Sequence, residues 1–232
     1  MCFNPAVSLT TAIIEIFLAS FIFIKYRKSS ITIFSAIIMY FLGLYQFSEF
    51  MLCISENPFL WAKVGFIIYT FLPALGIHAT LRMTERKKWT FLSYLVPAFF
   101  ALYAIFRSDF ISYASCNSIF VTVSSLLIYT PISNFNLVLS ILYASYYGIF
   151  ISLSCFILVH PSSFKKDRKK KKIYYLFILG VLLMVIPTFV FLVFLPSLSI
   201  RFPSVFCHFA ILLAIVLFLA SSLDNNKLKS NK

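Results

Sequence analysis

Acidic residues are scarce in this chain. Seven Asp and Glu stand against 20 Lys and Arg in 232 residues, and 12% of the residues are charged. With 61% hydrophobic residues and a mean hydropathy of +0.95, so little charge excludes a soluble globular domain. No stretch is polar and long enough to form a separate catalytic domain. No basic region precedes the first apolar run and no small-residue cleavage site follows a short one, so no secretory signal peptide is predicted. The C-terminus has no prenylation or GPI signature. Glycine is rare too: Gly43, Gly65, Gly76, Gly148 and Gly180 all fall inside apolar runs. Gly costs about 1 kcal/mol against Ala in a helix, so this placement predicts close helix contacts or kinks. Pro73, Pro97 and Pro187 predict further kinks.

What the chain has is long apolar runs, at 6–24, 31–53, 59–81, 89–106, 137–159, 173–195 and 204–223. A helix rising 1.5 Å per residue crosses a hydrocarbon core of about 30 Å in roughly 20 residues, the length of each run. Apolar residues run all round each segment instead of alternating, which predicts lipid-exposed helices and excludes barrel strands. The fold class is therefore all-α: one integral membrane bundle of seven transmembrane helices spanning residues 1–232. Of the 20 basic residues, 17 lie in segments 25–30, 82–88, 160–172 and 224–232, every second gap. By the positive-inside rule the N-terminus is outside and the C-terminus inside. The long outer loop 107–136 contains the β-branched and aromatic run Ile119–Val123, which predicts a small hairpin or re-entrant cap over the outer mouth.

A net charge of +13 in a soluble protein would point to nucleic acid; here it is an orientation signal and excludes that partner. The run Lys165–Lys172 predicts contact with anionic inner-leaflet headgroups. The bilayer is the principal partner, and homo-oligomerisation is left open. Spans one to three and five to seven share an orientation, and Phe41–Leu44 matches Ile178–Val181, but the likeness ends at Gln46 and Glu49, which would pair with Leu183 and Ile186.

Two carboxyls fall inside spans. Glu15 lies about nine residues, roughly 13 Å, below the outer end of span one, and Glu49 about four residues, roughly 6 Å, below that of span two. A carboxyl at such depth must be neutral or compensated by a cation or donors. Ser8, Thr11, Glu15 and Ala19 share one helical face, and Leu42, Gln46, Glu49 and Cys53 another. Facing each other, they would bring Glu15 within reach of Gln46. Lys63 and His208 come out at the depth of Glu49, which suggests either a Glu49–Lys63 ion pair or a ligand-binding set of Glu49, Gln46, Glu15, Lys63 and His208. A metal site from Glu49, Cys207, His208 and Cys2 is a weaker reading, because no close-spaced ligand motif supports it. His78 and His160 read as interfacial.

Cys2, Cys53, Cys116 and Cys207 fall at or near the outer face, where an oxidising exterior permits disulfides among them in any of three full pairings. Cys155 lies apart. Removal of Met1 would leave Cys2 as an N-terminal thiol beside an amine, a nucleophile with no identifiable base.

The opening Met1-Cys2-Phe3-Asn4-Pro5 and the segment Gln46-Phe47-Ser48-Glu49 resemble a family of uncharacterised bacterial multi-pass membrane proteins. Its members open Met-Cys-Phe-Ser and end their second helix Gln-x-x-Glu-Gly-x-x-Trp. The resemblance covers the first 55 or so residues; Asn4, Phe50 and Cys53 depart from it. It implies a bacterial cytoplasmic membrane and Cys2, Gln46 and Glu49 as focal residues, without an activity or cofactor. Retinal proteins are excluded by the lack of Lys in the last span, and rhodopsin-like receptors by the lack of their motifs after span three and within span seven. Ceramidase-like zinc hydrolases are excluded because no span holds an Asp. The functional expectation is binding or transport of a small molecule, lipid or ion between helices 1, 2, 3 and 7. A membrane-embedded metal or thiol enzyme and a structural subunit are the alternatives.

Overall fold

The computed structural model describes residues 5–26, 29–84, 90–116, 121–127, 134–160, 168–194 and 206–230. These are mostly helical: α1 (Pro5–Tyr26), α2 (Ser30–Ile54), α3 (Pro58–Thr70), α4 (Leu72–Met83), α5 (Leu95–Phe106), α6 (Asn134–Val159), α7 (Arg168–Phe194) and α8 (Phe206–Ser230). Because α3 and α4 are halves of one rod, they make seven helices. Four of these, α1, α2, the α3–α4 rod and α6, are long and apolar enough to cross a membrane. Large apolar side chains on the outer surface, such as Phe17 at 66% and Phe106 at 83% exposure, suit contact with lipid and not water.

Local chemistry sets the helix ends. Ser29 caps α2, its hydroxyl accepting from Ile31 N at 3.1 Å. Asn57 caps α3 by accepting from Leu60 N at 3.1 Å, with Pro58 in the first turn where its missing N–H costs nothing. Pro97 stands in the first turn of α5, after a short 3₁₀ turn at Leu92–Tyr94, so it begins a helix and does not kink one. Among its described residues the fourth apolar run, predicted at 89–106, is thus helical from Leu92. Helix α7 continues through Pro187 without interruption.

The α3–α4 rod breaks at Phe71, two residues before Pro73. Proline has no N–H to give the carbonyl four residues earlier, that of Tyr69. Helix α6 supplies the replacement donors. Tyr147 Oη donates to Tyr69 O at 2.5 Å and Tyr146 Oη to Thr70 O at 2.8 Å, while Tyr143 Oη and Thr70 Oγ1 share a bond of 2.9 Å. A broken helix in an apolar setting requires such substitutes for its freed backbone groups.

Between α5 and α6, β1 (Ile111–Cys116) pairs antiparallel with β2 (Val121–Ser125), with a register irregularity between Ile111 and Tyr113. Leu126 N donates to Phe110 O at 3.0 Å, and the fully buried Phe110 packs under the hairpin against Phe66. A disulfide joins Cys116 to Cys53 at the end of α2, with Cα atoms 5.2 Å apart. The bundle therefore has a disulfide end, and an opposite basic end where Lys25, Arg82 and the start of α7 lie. Two apolar cores stack between them. One joins α1, α2, α4, the end of α6 at Leu158, α7 and α8 toward the basic end. The other joins α2, α3, α5, α6 and the hairpin toward the disulfide end.

Candidate functional site

Helices α1 and α2 lie unusually close because Gly43 presents no side chain: a Cβ there would stand 2.8 Å from Ile16 Cγ1 and 3.2 Å from Ala12 O. Ser20 Oγ and Tyr40 Oη hydrogen-bond at 2.8 Å farther along the same contact. This fixes the level of the two antiparallel helices. Gly43 stands opposite Ala12–Ile16, so Gln46 faces the level of Thr11 and Glu49 that of Ser8.

The predicted polar face of α1 is buried as a strip, with Ser8 and Thr11 at 2% exposure and Glu15 at 0%. Opposite it, Gln46 is 0% and Glu49 3% exposed. The expected Glu15–Gln46 hydrogen bond is not made. The Gly43 register sets Glu15 about one turn deeper than Gln46, and neither carboxyl oxygen of Glu15 has a hydrogen-bond partner. Leaving a buried polar group unsatisfied costs about 1–3 kcal/mol, and more if it is charged. Glu49 differs: Tyr45 Oη donates to its Oε1 at 2.8 Å, and the Tyr45 ring meets Tyr69 edge-on at 5.8 Å.

The Glu49–Lys63 ion pair is likewise not formed. Gly65 of α3 meets α2 at Ser48, and Lys63, two residues away, points some 200° round the helix. Its ammonium donates to Arg107 O at 2.8 Å, tying α3 to the loop before the hairpin. Arg107 in turn grips Asp109 through two bonds, at 2.6 and 3.1 Å. That hydrogen bonding holds the exposed Asp109 carboxyl below the usual carboxylate range and raises the Arg107 guanidinium.

Cys2, Arg201 and Lys165–Asp167 lie outside the described residues, as do the side chains of Cys207 and His208. Of the metal candidates only Glu49 has a described side chain, and no group of three or more His, Cys, Asp or Glu converges among the described residues. Cys155 is a half-buried free thiol on α6. His78 sits near the basic end, where Arg82 Nε donates to its Nε2 at 3.3 Å. Its Nδ1 must then carry the proton shared with Tyr94 Oη at 2.8 Å. His160 is exposed beside Phe156. A groove of about 450 Å³ between α5 and α6, lined by Leu95, Phe99, Leu142, Tyr146 and Ile149, is apolar and opens on the exposed face of these helices, whereas Glu15 and Glu49 lie on α1 and α2.

Two features escaped sequence reasoning. The tyrosines of α6 that hold the α3–α4 break have no local signature. Asp224, placed just past the predicted end of span seven, is on α8 and only 7% exposed. No protein-family model, curated protein or solved structure matches the chain.

Proposed function

We propose that the chain is a seven-span protein of a bacterial cytoplasmic membrane, N-terminus outside and C-terminus inside. In this reading the junction of α1, α2 and α8 binds a small polar ligand or ion that enters from the outer face, as part of a transporter or sensor. One observation carries it: Glu15 is fully buried with both carboxyl oxygens unpartnered, one turn below Gln46 and facing the same interface. A carboxyl kept at that cost is a functional residue by default. The orientation is supported by the disulfide, which forms in an oxidising exterior and lies at the end opposite the basic segments. It gives the Lys165–Lys172 run to the anionic inner leaflet.

The test is a thermal-shift screen of the full chain in nanodiscs, at constant alkali salt, against divalent cations, amino acids and short organic acids, repeated with Glu15→Gln and Glu49→Gln. At least one compound should stabilise the wild type, and Glu15→Gln should abolish that shift while its unliganded melting stays near wild type. A ligand shift undiminished in both variants would place binding elsewhere. A protease site inserted within 110–130 should be cut from outside intact cells, and protection there would reverse the orientation.

A further inference from the structure

Helix α8 divides its surface among three neighbours. Gly180 brings α7 against Leu213 and Val216, and Phe218 packs on Phe21 of α1 with ring centroids 6.1 Å apart. The face between these, Ala210, Ala214, Leu217, Ser221 and Asp224 at helical spacing, is buried and left to α2, which packs on α8. Helix α2 divides likewise: Tyr40 and Gly43 meet α1, Ser48 meets α3, and Phe34 meets His78 of α4. Its remaining buried face, Thr32, Ser35, Met39, Leu42 and Gln46, belongs to α8. The helices are antiparallel. From the basic end, the interface therefore sets Thr32 and Ser35 level with Ser221 and Asp224, then Met39 and Leu42 level with Leu217 and Ala214.

The first level is polar throughout. Thr32 and Ser35 are 0% exposed and Asp224 7%, and Thr32 Oγ1, Ser35 Oγ and Asp224 Oδ2 are each buried without a hydrogen-bond partner. Ser221 Oγ donates to Leu217 O at 2.9 Å and keeps its lone pairs for an acceptor role. Native interiors rarely leave such groups unsatisfied, and three at one level of one interface ask for a common partner. All four donor atoms are hard oxygens, the type that binds alkali and alkaline-earth cations instead of soft metals. The set carries one negative charge. A monovalent ion would leave the site neutral, whereas a divalent ion would leave a buried charge uncompensated.

We infer that Thr32, Ser35, Ser221 and Asp224 form a binding site for a small monovalent cation at the basic end of the α2–α8 interface. Met39, Leu42 and Leu217, at 0%, 2% and 1% exposure, separate it from Glu15 and Gln46, so it fills from the basic end and does not depend on the outer site.

The full chain in nanodiscs is melted in sodium, potassium and choline chloride at equal ionic strength. Sodium or potassium should stabilise it saturably over choline, Asp224→Asn should remove the effect, and Thr32→Val with Ser35→Ala should raise the cation midpoint by at least about tenfold, the equivalent of roughly 1.4 kcal/mol. If Asp224→Asn does not fold, the hydroxyl double variant decides. Equal melting in the three salts overturns the site. So does an alkali response persisting in Asp224→Asn, or an unchanged midpoint in the double variant.

Discussion

Replacing Tyr147 by Phe removes one oxygen and leaves the ring among Tyr69, Tyr143 and Tyr146, its partners at centroid distances of 6.3, 5.2 and 5.5 Å. What is lost is the donor to Tyr69 O. Side-chain hydrogen bonds between membrane helices average only about 0.6 kcal/mol, because a freed group usually finds another partner. Here the acceptor is a backbone carbonyl whose intrahelical donor was deleted by Pro73, at a part-buried contact between apolar helices. The appropriate scale is therefore the cost of an unsatisfied buried group, about 1–3 kcal/mol. At roughly 2–4 °C per kcal/mol for a chain of this size, Tyr147→Phe should lower melting by about 2–12 °C.

The cause is separable by a double-mutant cycle. Pro73→Ala restores an N–H four residues after Tyr69, so Tyr147→Phe in that background should cost less than about 0.5 kcal/mol. The coupling between the two sites should exceed about 1 kcal/mol. Reversible unfolding in mixed micelles measures all four corners. Additive effects, or a Tyr147→Phe variant as stable as wild type, would show that the tyrosine does not replace the missing proline donor.

Non-reducing peptide mapping should find Cys53 linked to Cys116, and its loss in Cys53→Ala should cost about 2–4 kcal/mol for a separation of 63 residues; full alkylation of both cysteines without reductant would refute the link. Gly43→Ala should destabilise by about 1–3 kcal/mol through overpacking against Ile16 and the Ala12 carbonyl, whereas Gly148→Ala, with open space at its Cβ, should be neutral or stabilising; equal melting of the two variants would refute the tight α1–α2 approach. Lys63→Met should not rescue any loss caused by Glu49→Gln, because Lys63 serves the Arg107 carbonyl; measurable coupling between the two would restore the ion pair.

Much of the fold was legible because lipid-facing helices must be apolar all round, and that needs no tertiary information. The apolar runs and the helices differ mainly at their ends. Helix α7 begins at Arg168 and α8 runs to Ser230, beyond the apolar runs, since Lys and Arg are good helix formers and a helical backbone continues into a charged segment. The β-branched run near Val121 signalled a hairpin, and Pro73 the break in the third span. The partner of that break was not readable: Tyr147 lies 78 residues from Tyr69.

For the site, depth was legible and azimuth was not. Counting residues from a span end put Glu49 and Lys63 at one level, but whether two side chains meet also depends on where each points round its helix. That depends on which residues let the helices touch. Gly65 turns α3 so that Lys63 faces the loop, and Gly43 sets α1 so that Glu15 lies a turn below Gln46. The same logic hid Asp224, which hydropathy assigned to a tail because its own charge ended the run. On α8 it continues the face of Ala214 and Leu217 by simple helical spacing, so burial follows from the helix extending past it. The glycines, not the charged residues, thus fix which polar groups can act together, and substitutions at Gly43 should disturb the Glu15 site as strongly as substitutions within it.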